Sequence, residues 1–231
     1  MKRSEILRKA FVKSLPIMAG YVVLGMGFGI LMNDKGYSVW LTLLCSLFIF
    51  AGSMQYITVD LLASAASPVY AAFMTLMVNA RHLFYGVSMV GKYRKMKHFK
   101  PYLIFGLTDE TYSLLCTDPE VTEDQAGEWY SFLVTAFNHS YWVIGSVLGG
   151  LLGSVLEFDS RGIDFSMTAL FVTVFVEQWL TSGQHRSALT GIGASFLCLL
   201  VFGSSRFLIP AMVLIVVILT IPYRKGGTFH A

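Results

Sequence analysis

Six long stretches of this chain carry no Asp, Glu, Lys or Arg, and that pattern limits the fold more than any other feature. The runs are Ser14–Met32 (19 residues), Gly36–Val59 (24), Leu61–Ala80 (20), Trp129–Leu156 (28), Ser187–Ser205 (19) and Phe207–Tyr223 (17). A helix of roughly 20 apolar residues crosses a hydrocarbon core of about 30 Å. A soluble fold of 231 residues has no use for six such runs, and with 55% hydrophobic and 13% charged residues it would lack the polar surface that water requires. In lipid each backbone group must be paired within its own segment, which selects helices, and the runs are too long and unalternating for barrel strands. The expected fold is an all-α integral membrane protein, a polytopic helical bundle forming one transmembrane domain over residues 1–231.

Candidate segments are 12–32, 39–66, 67–91, 102–117, 129–157, 164–181, 187–203 and 207–222. The basic N-terminus followed by a 19-residue apolar run, without a small-x-small cleavage site, reads as a first membrane helix rather than a removable leader. Basic residues set orientation. Lys2, Arg3, Arg8, Lys9 and Lys13 place the N-terminus in the cytoplasm, and Lys92, Arg94, Lys95, Lys97 and Lys100 draw the loop after the third segment there too. Three full spans would put that loop outside. Making segment 39–66 a re-entrant hairpin, opened at Ala51-Gly52-Ser53-Met54-Gln55, removes the conflict; one long tilted helix with a packing glycine is the plainer alternative.

A faint internal repeat relates Ala19–Gln55 to Gly145–Gln178: a Gly-rich helix, a short Gly loop, then an apolar run ending in polar residues (Ser53 with Gln55; Glu177 with Gln178). If segment 102–117 crosses once, the halves run inverted, as in many secondary transporters, and the acidic loop Thr117–Glu128 falls outside. Gly145, Gly149 and Gly153 form a small-residue face for close helix contact. Cys45, Cys116 and Cys198 lie in apolar segments without metal-ligand spacing and read as packing residues.

Polar side chains inside membrane segments are costly and each needs a reason. Gly52, Ser53 and Gln55 would offer free N–H groups to an anion if the helix opens there; helix packing is the alternative. Asn79, Arg81, His82 and Tyr85 lie inside segment 67–91. Arg81 stands at least ten residues from the segment end, a long reach for snorkelling to the headgroups. Thr108, Asp109, Glu110 and Tyr112 sit in a segment too short to span comfortably, where paired carboxylates suit an ammonium group, a proton or the Arg81 charge. Asp60 is near a segment end. Glu177 with Gln178 and Asn138 with His139 are the candidates of the second half. No Gly-x₄-Gly-Lys-Ser/Thr loop, Gly-x-Ser-x-Gly elbow or His-Glu-x-x-His pair occurs, so neither ATP hydrolysis nor any other enzymatic activity is expected, and no cofactor or metal is called for.

The ordered series Ala51-Gly52-Ser53-Met54-Gln55, Val78-Asn79-Ala80-Arg81-His82-Leu83-Phe84-Tyr85-Gly86, Leu107-Thr108-Asp109-Glu110, Glu177-Gln178-Trp179 and Phe207-Leu208-Ile209-Pro210-Ala211-Met212 resembles the AzlC family, the large subunit of branched-chain amino acid exporters. The resemblance covers essentially the whole chain. It implies export of leucine, isoleucine, valine and methionine-like solutes across the bacterial inner membrane, driven by the proton gradient, together with a small AzlD-type membrane subunit. On that reading Gly52, Ser53 and Gln55 at the break, with Arg81, face the carboxylate, and Asn79 belongs to the same substrate site. Asp109 or Glu110, or else Glu177 with Gln178, faces the ammonium group, and Phe48 and Phe84 shape the side-chain pocket. His82, Asp109 or Glu110 carries the coupling proton. A transporter of another solute, an uptake permease, a channel and a non-transporting assembly subunit are the competing readings.

Overall fold

The computed structural model describes residues 3–155 without interruption, residues 185–203, and isolated residues or short groups between and after them; Glu177, Gln178 and most of segments 164–181 and 207–222 lie outside the described residues. The chain divides into two compact units, 1–168 and 169–231. Every regular element among the described residues is helical. In the first unit these are α1 (Arg3–Asp34), α2 (Val39–Phe48), α3 (Gly52–Ala63), α4 (Pro68–Val78), α5 (Ala80–Tyr93), α6 (Lys100–Phe105), α7 (Asp109–Leu115) and α8 (Gln125–Val155). In the second, α9 spans Arg186–Phe202 and exposes Leu189, Ile192, Phe196 and Leu200.

Two long helices form the frame of the first unit. Of the described helices, α1 alone is both long and apolar enough to cross a membrane by length and composition. It lies against α8 so closely that side chains are excluded. A Cβ built on Gly29 would stand 2.1 Å from the Ser146 carbonyl oxygen, and one on Gly149 would stand 2.0 Å from that of Met26. Contacts advance in the same sense along both helices: Phe11 meets Phe137, Tyr21 meets Trp142, and Asn33 meets Gly153. The two therefore run parallel, and both begin at what is here called the N-terminal end.

Between them the chain is interrupted three times. Segment 39–66 is two helices. Ser38 caps α2 by accepting from the Leu41 N–H, and α2 descends from the far end, where Val39 lies under Gly150, to His139 at mid-depth. The chain turns at 49–51, and α3 climbs back: the Tyr56 hydroxyl donates to the Leu24 carbonyl at 2.7 Å, and Val59 packs with Leu31 and Met32. Segment 67–91 is likewise two helices. Ser67 and Pro68 start α4, a favoured pairing for a helix N-terminus. The helix breaks at Asn79, and α5 reaches the N-terminal end, where Met89 and Tyr93 pack with Ile6 and Ala10.

Segment 102–117 does not run from one end of the α1–α8 frame to the other. Phe99 stacks on Phe132 at 4.2 Å, Gly106 reaches Thr135, and the chain then reverses into α7, whose end lies by Lys92. It enters and leaves at the N-terminal end. Two expectations fall with it. The Gly-rich helices α1 and α8 point the same way rather than inversely. The acidic loop lies with the basic residues, not opposite them: Lys9 pairs with Glu120 at 2.7 Å, Lys13 with Asp118 at 3.0 Å, and Lys95 with Glu123. The sequence count failed because it treated a 16-residue segment that carries Gly106 as one helix.

Asp118 is the knot of this end. Burial pushes its carboxyl up, but bonds from the Glu120 N–H, Lys13 and the Tyr130 hydroxyl, with the Lys13 charge, outweigh burial and hold it below the usual carboxylate range. A depressed carboxyl stabilises the fold above its unfolded value and loses that contribution only as pH falls through the lower folded value. The knot therefore stays tied at neutral pH.

Gly149→Val should drive its side chain into the Met26 backbone, costing about 1–3 kcal/mol or more, and sharply cut the yield of monodisperse protein in size-exclusion chromatography. Gly20→Ala, with nothing within 4 Å, should match wild type. Cysteines placed at Ser4 and Gln125, both exposed, should react with an impermeant maleimide from the same side of the membrane; labelling from opposite sides would contradict the shared end.

Candidate functional site

The tips of the two hairpins and the Asn79 break come together between α1 and α8, where most of the polar residues singled out above are found. α3 is the one of these helices whose start lacks a side-chain cap among those beginning at hairpin tips. Ala51 precedes it and offers nothing, whereas Thr108 caps α7 by accepting from the Thr111 N–H. Gly52 opens α3 because a Cβ there would stand 3.0 Å from the Trp142 ring.

Arg81, in the first turn of α5, ties these pieces together. Its Nη2 donates to Ser53 Oγ at 2.8 Å, and its Nη1 lies 2.7 Å from Asp109 Oδ2, with both side chains about a third exposed (34% and 30%). One guanidinium thus joins the first hairpin, the broken span and the second hairpin. Beside it the Tyr21 hydroxyl of α1 donates to Glu110 Oε2 at 2.6 Å and lies 2.7 Å from Thr108 Oγ1. Thr108 contacts Thr111 at 3.1 Å, and Asn138 Nδ2 of α8 donates to Thr111 Oγ1 at 3.1 Å. A polar chain therefore runs from α1 through α7 to α8.

The other candidates sit around this centre. Gln55 is fully buried and donates to Ser46 Oγ across the first hairpin at 3.1 Å. Asn79 ends α4 and begins α5 without capping through its side chain. His82 turns its Nδ1 to the Asn79 carbonyl at 3.2 Å and sets its ring edge-on to Tyr85. Tyr85 stacks on Tyr112 at 4.6 Å. Four buried side-chain oxygens, Gln55 Oε1, Asn79 Oδ1, Asp109 Oδ1 and Asn138 Oδ1, accept no hydrogen bond from the described residues. Buried acceptors of this kind are rare in folded proteins.

Phe48 and Phe84, expected to shape an apolar pocket, are 73% and 75% exposed. The buried rings at this level are Tyr21, Phe50 and Trp142, packed edge-on to one another around Tyr21. Glu177 and Gln178 lie outside the described residues. Sequence reasoning passed over Tyr21, Ser46, Tyr102 and Thr111; only Tyr21 and Ser46, as hydroxyls within uncharged runs, carried a readable cue. Among the described residues no cluster of His, Cys, Asp and Glu could hold a metal ion.

Comparison with known proteins places these observations in a family. The family model described as AzlC protein matches residues 16–156, which include every residue of the site just described. The branched-chain amino acid transport protein AzlC of Bacillus subtilis (strain 168) is 47% identical over 223 residues, covering 95% of this chain and 87% of that protein. An uncharacterized membrane protein of Haemophilus influenzae is 39% identical over 226 residues, covering 97% and 92%. Inner membrane protein YgaZ of Escherichia coli (strain K12) is 26% identical over 178 residues, covering 76% and 73%. No solved structure matches. The chain is an all-helical integral membrane protein, and it belongs to the AzlC family.

Proposed function

We propose that this chain is the large subunit of a secondary transporter that exports branched-chain amino acids from the bacterial cytoplasm, with a small AzlD-type membrane protein as its partner. The observation that carries the reading is the Arg81–Asp109 pair, held where three broken helices meet. A zwitterionic amino acid needs donors for its carboxylate and acceptors for its ammonium group. The pair supplies one of each, and its own net charge is zero.

Exchange is the natural mechanism at such a pair. The substrate carboxylate takes the Arg81 guanidinium together with the uncapped N–H groups of α3 at Gly52 and Ser53, a favourable setting for an anion. The ammonium group takes Asp109, with the open oxygens of Asn79 and Gln55 as further acceptors. Neither protein charge is left bare at any stage, which matters because an unpaired charge within a membrane segment is costly. Tyr21, Phe50 and Trp142 offer the apolar wall for a branched side chain.

Glu110 is the second carboxylate of the site, and the bond it accepts comes from a neutral hydroxyl, Tyr21. The cheapest way to neutralise a carboxylate at membrane depth is to protonate it, so Glu110 is the favoured proton carrier, ahead of Asp109, which Arg81 already balances, and His82, whose Nδ1 is engaged with the Asn79 carbonyl. The two halves that would rock are hairpin α2–α3 with span α4–α5, and hairpin α6–α7 with α8, entered from opposite ends. That inverted pairing accords with alternating access about a central site.

Cells expressing the chain with its small neighbour should release preloaded labelled leucine, and a protonophore should abolish the release. Arg81→Ala, Asp109→Ala and Asn79→Ala should each cut efflux about tenfold or more at unchanged membrane level. The double variant Arg81→Ala/Asp109→Ala, which strands no charge, should reach the membrane at wild-type level and still not transport. Glu110→Gln should keep leucine exchange and lose its dependence on the proton gradient. Wild-type efflux in all three single variants would remove the site; no efflux of any branched-chain amino acid from wild type would remove the cargo.

A further inference from the structure

His139 touches both re-entrant hairpins at once. It sits at the middle of α8, 9% exposed. Its Nε2 lies 3.1 Å from the Ser46 carbonyl in the last turn of α2. Its Nδ1 lies 3.0 Å from the Tyr102 hydroxyl of α6. The ring is covered by Phe50 of the first tip at 4.3 Å, and Phe105 of the second meets it edge-on at 5.8 Å.

The chemistry of these contacts fixes the tautomer. A carbonyl can only accept, so the proton is on Nε2. In the neutral ring Nδ1 then accepts from the Tyr102 O–H. The carbonyls of a helix's last turn have lost their intrahelical donors, and in lipid such a group needs another. His139 supplies it to α2 from a helix that is itself unbroken. Through the same ring it holds α6, which descends from the other end of the molecule. Gln55 and Ser46 fasten the first hairpin to itself; His139 fastens the first hairpin to the second.

The geometry points to His139 as a positioning residue that couples the two hairpin tips, so that they change place together during transport and leave no state in which both have opened. It does not bind the cargo. This rests on the transporter reading for its purpose, but the coupling itself can be measured without any substrate.

The test uses the full-length chain with Cys45, Cys116 and Cys198 replaced and spin labels on cysteines at Leu44 of α2 and Ile104 of α6, both exposed, reconstituted in liposomes. Pulsed electron-electron resonance should give a narrow distance distribution in the otherwise wild-type protein. His139→Leu and Tyr102→Phe should each broaden it about twofold. His139→Gln, whose amide can donate to Ser46 and accept from Tyr102, should restore the narrow width. In parallel, Tyr102→Phe should retain labelled-leucine binding within about twofold while net efflux falls about tenfold. An unchanged width in Tyr102→Phe, which loses only a hydroxyl and folds most safely, overturns the proposal. So does broadening in His139→Leu alone, since that would mean the ring only fills space. Absence of leucine movement in wild type would sink the cargo reading and leave the distance result standing.

Discussion

Ending a helix in an apolar medium leaves N–H and C=O groups that no water can satisfy, and this molecule ends helices at mid-depth three times over. The arrangement of its interior follows from how those ends are met. The last turn of α2 finds a donor in His139. Thr108 closes the start of α7. The start of α3 receives no side-chain cap and faces the Ser53–Arg81 contact. Polar residues that look scattered in sequence are thus the complement of broken backbone, and the uncapped start of α3, beside the Ser53–Arg81 contact, is the place where an external anion has most to gain.

The frame that permits these breaks is the contact between α1 and α8. Glycines bring the two backbones together, and the contact leaves no room for a β-carbon at Gly29, Gly145 or Gly149. With two unbroken helices fixed at that distance, the interrupted elements hang between them and are joined to one another through Arg81. Each hairpin then needs only a few polar attachments, of which Tyr56 to Leu24, Tyr21 to Thr108 and Asn138 to Thr111 are examples.

Much of this was legible in the residues alone. A glycine, a serine and a glutamine in the middle of the 28-residue segment 39–66 are where a helix opens, and the chain does divide between Phe48 and Gly52. Arg81 and Asp109 stood out because isolated charges in lipid are expensive, and they do meet. The fold-back at 102–117 was not legible. Thr108-Asp109-Glu110 is also an ordinary helix-start pattern, a capping threonine followed by acids, but it was read as chemistry, so the reversal before it was missed. With that reversal missed, one crossing was miscounted and the acidic loop was assigned to the wrong end. Tyr21 and Thr111 escaped for a different reason. The role of a single hydroxyl is set by the distant segment it meets, and those partners lie 89 residues on for Tyr21, at Glu110, and 27 residues on for Thr111, at Asn138.

The parallel course of α1 and α8 has an electrostatic consequence. Each helix carries a macrodipole whose positive pole lies at its start, and antiparallel neighbours largely cancel theirs. Here the two poles add at one end of the molecule. That is the end at which Glu5 stands in the first turn of α1, Glu128 in the first turn of α8, and Asp118 and Glu120 beside them. Glu128 is buried there and accepts the N–H groups of His98 and Phe99 at 2.7 and 2.8 Å. The acidic loop, whose carboxylates pair with Lys9, Lys13 and Lys95, thus also sets negative charge at the shared positive pole of two aligned helices.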